Sequence, residues 1–70
     1  MPNTYTAVTK QDGAWWIGWI EEVPGVNCQE RTRAELLKTL RVTLKEALDF
    51  NREDALRAAS PDYSEELLTV

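Results

Sequence analysis

The sequence predicts an α+β protein, built as a small antiparallel β-sheet with one main helix in the order β-β-β-α-β. Two observations carry this prediction. The run from Gly13 to Cys28, GAWWIGWIEEVPGVNC, holds all three tryptophans of the chain and turns at Pro24-Gly25, which is typical of paired strands. The stretch after Thr32 instead repeats its leucines every three or four residues, which is typical of an amphipathic helix.

Length and composition narrow the possible functions. The 70 residues suit one domain, 1–70, whose core contributes only ~3–5 kcal/mol, so burial against a partner or in a homo-oligomer (a dimer or higher) is expected. The net charge of −4 disfavours direct nucleic-acid binding and suits a basic protein partner, although mild acidity also serves solubility alone. A single cysteine and the absence of a membrane-length apolar run predict a cytoplasmic protein.

A β-hairpin opens the predicted sheet. Thr4 to Lys10 and Ala14 to Ile20 are expected to be its strands, and Asp12 and Gly13 its two loop residues. This loop would place Thr9 opposite Trp16, and the alternation of side chains then divides the hairpin into two faces. One face carries Tyr5, Ala7, Thr9, Trp16, Gly18 and Ile20, and the other carries Thr6, Val8, Lys10, Trp15, Ile17 and Trp19.

Both faces of this hairpin are apolar, whereas the chain offers one good helix to cover them. We expect Trp16, Gly18 and Ile20 to meet the helix. The remaining residues are then the predicted partner or self interface, namely Val8, Trp15, Ile17 and Trp19. Two alternatives stay open: the C-terminal segment folds back over part of this face, or Lys10 shields Trp15 through a cation–π contact.

Turn and cap residues set the remaining boundaries. Pro24 followed by Gly25 predicts a type II turn, after which Val26 to Gln29 returns as a short third strand. Thr32 and Glu35 form a capping box, in which the threonine accepts a free backbone N–H and the glutamate reaches back to the amide of the cap. Asp12, Gly13, Pro24, Gly25, Thr32 and Glu35 are therefore assigned structural roles.

The predicted helix runs from this cap to about Phe50 and ends at Asn51. Its apolar stripe consists of Leu36, Leu37, Leu40, Leu44, Ala47 and Leu48. Residues 52–59 make one or two separate turns or extend the helix, until Ser60-Pro61 stops it. The segment Tyr63 to Val70 has both a helix-start and an edge-strand signature, and the strand is favoured.

No catalytic constellation emerges from the sequence. The chain has no histidine, which excludes histidine-based acid–base catalysis and histidine metal sites, and it has no glycine-rich phosphate loop. Glu21 and Glu22 are adjacent on an extended chain and point to opposite sides. Cys28 is better explained as a half-buried strand residue than as a reactive thiol. We predict a protein that is not an enzyme and that holds no cofactor and no metal.

From Thr4 to Phe50 the chain resembles the HicB-like antitoxin family. The resemblance rests on the order of YTAV, an acidic-glycine turn, WWIGWIEEVPGV and a TxxE-capped amphipathic helix. Two features depart from the family pattern: Glu21 replaces the first proline of the turn, and Glu30-Arg31 replaces the usual glycine before the threonine.

The resemblance implies a degenerate ribonuclease-H-like fold closed by a final strand. It also implies an antitoxin of a type II toxin–antitoxin system, which masks a small basic HicA-type toxin that cleaves messenger RNA. No DNA-binding motif follows the helix up to Val70, so we expect no direct operator binding. The alternative is a stand-alone homo-oligomeric module of the same fold with no toxin partner, and a nuclease is a distant third.

Overall fold

A computed structural model of the chain describes residues 4–69. Three antiparallel strands form one sheet in the order β1 (Ala7–Asp12), β2 (Trp15–Ile20) and β3 (Asn27–Glu30), and a single helix, α1 (Arg33–Ala59), follows them. The predicted α+β class and the order β-β-β-α are therefore confirmed. Within residues 4–69, no helix has the length and apolarity that crossing a bilayer requires.

The hairpin register differs from the prediction by two residues. Gly13 and Ala14 form the loop, and Asp12 pairs with Trp15 at the end of the ladder, so that Thr9 faces Gly18 instead of Trp16. Gly13 has φ +61° at the first loop position, whereas Ala14 and every other non-glycine residue among 4–69 has negative φ, which is the type II′ arrangement that matches strand twist. Moving the loop by one residue shifts every pair by two, so β1 ends at Asp12 rather than Lys10.

The two faces of the hairpin stay as predicted, because a two-residue shift preserves the side to which each side chain points. Trp16, Gly18 and Ile20 do meet the helix. At Gly18 an added Cβ would lie 3.0 Å from side-chain atoms of both Leu36 and Leu40, so glycine is what permits this close approach. The buried core consists of Ile20, Val23, Val26, Leu36 and Leu40.

The third strand begins one residue later than predicted, because Val26 is used by the core. Gly25 has φ +90°, as a type II turn after Pro24 requires, and Val26 then points inward with 1% of its surface exposed. The ladder with β2 runs from Asn27 opposite Trp19 to Glu30 opposite Trp16. This pairing makes β2 the central strand of the sheet.

The helix begins at the predicted cap. The Thr32 hydroxyl accepts from the Glu35 N–H at 3.2 Å and donates to the Glu35 carboxylate at 2.9 Å. The carboxylate of the box therefore accepts from the hydroxyl of the cap, where the sequence had predicted a bond to its amide. Both arrangements hold the first turn and favour an acidic side chain at the positive end of the helix.

The predicted end of the helix at Asn51 is wrong, since α1 continues to Ala59 and stops before Ser60-Pro61. Residues 52–59 thus extend the first helix, which was the second of the two alternatives. At 27 residues the helix is about 40 Å long, whereas a six-residue strand spans only about 20 Å. Past Leu48 every helical side chain is exposed except that of Leu56, so this half of α1 projects beyond the sheet.

The predicted closing strand over Tyr63 to Val70 is also wrong for the residues that the structure describes. Residues 63–69 are exposed and form no regular structure, and Val70 lies outside the described range. The physical reason is distance: the helix carries the chain about 16 Å past Leu48 before the segment starts. A contact of 3.6 Å between Arg52 and Glu65 then places the segment beside the helix and not at a sheet edge.

Candidate interaction face

The sheet surface opposite the helix gathers the predicted interface residues, and we call it the outer face. The two strand registers arrange it as three rows across β1, β2 and β3. Its members are Val8, Lys10, Asp12, Trp15, Ile17, Trp19, Asn27 and Gln29. The structure thus brings together Val8, Trp15, Ile17 and Trp19, which the sequence predicted as one surface.

The two outer tryptophans remain accessible to solvent. Trp15 and Trp19 expose 36% and 37% of their surfaces, while Val8 and Ile17 beneath and between them are half-buried. Single exposed apolar residues are ordinary on proteins, but two tryptophans flanking an isoleucine on one strand form a contiguous patch. Such patches are typical of surfaces that bind another macromolecule.

A cation lies at one end of the outer face. The guanidinium carbon of Arg31 lies 4.2 Å from the centre of the Trp15 ring, a distance that gives a cation–π contact. The sequence had assigned this role to Lys10 as one alternative, and the structure gives it to Arg31. The alternation of side chains along β3 could have predicted this contact, because Arg31 follows Gln29 by two residues and therefore lies on the same face of the sheet.

A shallow groove of about 360 Å³ runs along the junction between β2 and β3. Its walls include Ile17 and Trp19 from β2 and Asn27 and Gln29 from β3. The floor is apolar, whereas the two amide side chains offer donors and acceptors along one edge. This combination of an apolar base and a polar rim suits a protein segment better than a small metabolite, which needs an enclosed pocket.

Two carboxylates at the sheet, those of Glu22 and Glu30, are engaged in structural contacts. Glu22 accepts from the Thr6 backbone N–H at 2.8 Å and from the Thr6 hydroxyl at 2.7 Å. These two hydrogen bonds hold the pKa of the Glu22 carboxyl below its ordinary value of 4.5, and the bond from the backbone N–H has the larger effect. Glu30 accepts from the Thr39 hydroxyl at 2.7 Å and thereby ties β3 to the helix.

Metal-ligating and nucleophilic groups are similarly dispersed. Over residues 4–69 no three side chains of His, Cys, Asp or Glu come together as a possible metal site. Cys28 is half-buried on the helix side of β3, with its Sγ 3.5 Å from the hydroxyl oxygen of Thr43. Its environment is that of a packing residue between the sheet and the helix.

Charge is divided unevenly along the chain. Residues 1–45, which contain the sheet and the helix as far as Lys45, carry six basic and five acidic side chains, a formal charge of +1. Residues 46–70 carry two basic and seven acidic side chains, a formal charge of −5. The acidity of the protein therefore belongs to the part of α1 from Glu46 onward and the segment after it, while the outer face is bordered by Lys10, Asp12 and Arg31.

Comparison of the chain with protein families, with characterised proteins and with solved structures gives no match. The geometry of the described residues is therefore the main guide to function. Of the six residues assigned to turns and caps, Gly13 and Gly25 adopt positive φ, Thr32 and Glu35 cap the helix, and Asp12 is a strand residue. Pro24 is exposed in the turn that precedes Gly25.

Proposed function

We propose that this protein is a non-catalytic, antitoxin-like binding protein whose outer face holds and masks a small basic toxin of the HicA type that cleaves messenger RNA. The proposal combines two sources of support. The resemblance to HicB-like antitoxins over Thr4 to Phe50 names the partner class, and the single cysteine favours action in the cytoplasm. The arrangement β-β-β-α is compatible with that resemblance.

The observation that carries the proposal is the exposure of Trp15 and Trp19 on the outer face. Tryptophan is enriched among the residues that dominate binding energy, because it buries a large area while losing little side-chain entropy. The outer face presents two such side chains on the central strand, which is paired on both sides, so little ordering of the backbone is needed before a partner docks. Binding, and not chemistry, is the use that suits such a surface.

Charge adds a second, longer-ranged contribution. The overall charge of −4 attracts a basic protein and repels nucleic acid, so the protein would compete for the surface of the toxin without binding its RNA substrate. The negative charge is concentrated in residues 46–70, away from the tryptophans. Residues 46–70 would therefore attract the basic partner at long range, while Trp15 and Trp19 would hold it once it is bound.

Co-expression with the protein encoded next to this one tests the proposal. We expect the wild-type protein to relieve growth arrest and to co-purify with that protein, and the double variant Trp15→Ser/Trp19→Ser to lose at least 90% of the captured partner. Val42→Ser is the matched control, since Val42 is 55% exposed but lies on the helix, away from the outer face. Failure of the wild-type protein to co-purify or to relieve arrest would overturn the proposal.

The second candidate is a stand-alone homo-oligomeric module that buries the same tryptophans against another copy. The same exposed pair favours it, since a core of this size gains from added burial. Sedimentation of the single variants Trp15→Ser and Trp19→Ser is informative here. If both variants and the wild type sediment at the same oligomeric mass, the outer face is not the self-contact and this candidate fails.

A further inference from the structure

The most exposed large apolar side chains lie in the segment after the helix. Leu67 and Leu68 expose 87% and 79% of their surfaces, more than either outer tryptophan. They are adjacent in the chain and follow two glutamates, Glu65 and Glu66. We call residues 63–69 the tail. Two neighbouring leucine side chains that are exposed to water are stabilised when they are buried against a complementary apolar surface.

The outer face supplies such a surface in composition and in charge. Its centre is apolar, formed by Trp15, Ile17 and Trp19, and its border carries Lys10 and Arg31. Neither cation takes part in an ion pair within residues 4–69. A leucine pair preceded by Glu66 matches this pattern, since the leucines would cover the tryptophans while the carboxylate approaches a cation at the rim.

The tail does not reach the outer face of its own molecule. Glu65 lies 3.6 Å from Arg52, which stands twelve residues, or about 18 Å along the helix axis, past the buried Leu40. Only the residues after Glu65 remain, and they span at most about 14 Å from residue 65 to residue 69. The way back to the outer face covers about 18 Å along the helix axis and a layer spacing of about 10 Å.

We propose that the tail of one copy docks on the outer face of a second copy, with Leu67 and Leu68 against Trp15 and Trp19. Because each copy has one tail and one outer face, reciprocal exchange closes a two-fold dimer with two identical contacts. The inference rests on the proposed role of the outer face as a contact surface. It adds that the dimer and the basic partner compete for that face, so that self-association covers the tryptophans when no partner is present.

Sedimentation equilibrium of four proteins tests the contact. We expect the wild type and the control Val42→Ser to dimerise, and both Leu67→Ser/Leu68→Ser and Trp15→Ser/Trp19→Ser to raise the dimer dissociation constant at least tenfold. Circular dichroism verifies the fold of each variant. Glu66→Lys, on an exposed tail residue, adds a variant that spares every packed side chain, and its dimer should be weaker than wild type, most clearly at low salt.

Mixing the two double variants separates tail exchange from a face-to-face dimer. One variant keeps an intact tail and the other an intact outer face, so the mixture should form a heterodimer with one of the two contacts, although each variant alone is monomeric. A face-to-face dimer predicts instead that the leucine variant retains the wild-type mass, and that result would overturn the inference. A wild-type protein that stays monomeric at millimolar concentration would overturn it as well.

The same variants keep this inference separable from the proposed function. Leu67→Ser/Leu68→Ser retains both tryptophans, so it should capture the basic partner at least as well as the wild type does. If the wild-type protein is monomeric and still captures the partner, the proposal of tail exchange is contradicted and the proposed antitoxin function is not. Tail exchange without any capture sinks the antitoxin proposal alone.

Discussion

At the scale of single residues, Gly18 controls how the sheet and the helix approach each other. A Cβ at this position would meet the Val8 carbonyl oxygen at 2.9 Å and leucine methyl groups of Leu36 and Leu40 at 3.0 Å. The side chains could rotate away, but the carbonyl belongs to the β1 ladder and cannot move without disturbing the pairing. Glycine is therefore required here for space, whereas Gly13 and Gly25 are required for their positive φ.

We expect Gly18→Ala to lower the free energy of unfolding by about 1–3 kcal/mol, the usual cost of overpacking a close-packed site. Urea denaturation of Gly18→Ala, Leu40→Ala and the double variant measures this cost as a cycle. The double variant should lose less than the sum of the single losses, since removing the Leu40 methyl groups relieves part of the clash. Strict additivity would show that the helix does not contact Gly18.

Glu22 ties the entry of β1 to the turn after β2 through its two bonds from Thr6. Folding lowers the pKa of its carboxyl from the ordinary value of 4.5, so the folded state favours the charged form. The resulting stabilisation is fully present above the unfolded-state pKa and is lost as the pH falls through the lower folded-state pKa.

The pH dependence of the thermal midpoint checks this linkage against Glu22→Gln. We expect the wild type to be more stable by a constant margin from neutral pH down to about pH 4.5, and the margin to shrink at lower pH. Glu21→Gln is the matched control, because Glu21 is the exposed neighbour and its side chain makes no hydrogen bond within residues 4–69. A margin that does not change with pH would contradict the proposed role of the charge.

At the scale of elements, α1 consists of two halves with different support. Up to Leu48 its leucines pack against the core, with Leu36 and Leu40 buried and Leu44 and Leu48 at the margin. Beyond Leu48 the helix relies on propensity, on the exposed pairs Arg57–Asp54 at 3.5 Å and Arg52–Glu65 at 3.6 Å, and on the C-terminal bond from the Ser60 N–H to the Leu56 carbonyl. Exposed pairs of this kind contribute about 0–1 kcal/mol, so the projecting half frays more readily than the packed half.

Two alanine-to-glycine substitutions distinguish the halves. Ala47→Gly lies in the packed half and should lower the global free energy of unfolding by about 1 kcal/mol, because helix propensity and a packed methyl group are both lost. Ala55→Gly has the same intrinsic cost but should change the global transition by less than about 0.3 kcal/mol, since local fraying absorbs it. Urea denaturation of both variants suffices. Equal losses would mean that residues 49–59 unfold only with the core.

At the scale of the whole molecule, the projecting helix makes the protein elongated and separates its charges between the two ends. Its radius of gyration is 15.1 Å and its extents are 50 × 23 × 15 Å. A compact chain of this length would have a radius of gyration of about 11 Å. Because residues 1–45 carry +1 and residues 46–70 carry −5, any basic protein would experience its strongest attraction at the end of the molecule away from the tryptophans.

Small-angle X-ray scattering of the tail variant Leu67→Ser/Leu68→Ser, extrapolated to zero concentration, measures the shape of the monomer. We expect a radius of gyration near the 15.1 Å of the extended arrangement. Folding back of residues 49–59 over the outer face would reduce the radius toward about 11 Å. A radius near that value would mean that residues 49–59 cover the outer face, whereas both proposals require that face to be uncovered.

The sequence by itself determined the two faces of the hairpin, the turn glycines and the helix cap. These features depend on local rules: side chains alternate along a strand, glycine adopts positive φ, and Thr32 satisfies the first backbone N–H groups of α1. For this reason the separation of Trp16 from Trp15 and Trp19 survived an error of two residues in the register.

Only the tertiary structure decided the pairing of the strands, the length of α1 and the state of the tail. The loop could shift by one residue at no cost visible in the sequence, because Asp12-Gly13 and Gly13-Ala14 are both acceptable hairpin loops. The tail has strand composition, but a strand forms only where an edge is within reach, and the extended helix moves the tail away from both edges. Arg31 on Trp15 likewise depends on where β3 lies, since the two residues are sixteen positions apart and meet only through the sheet.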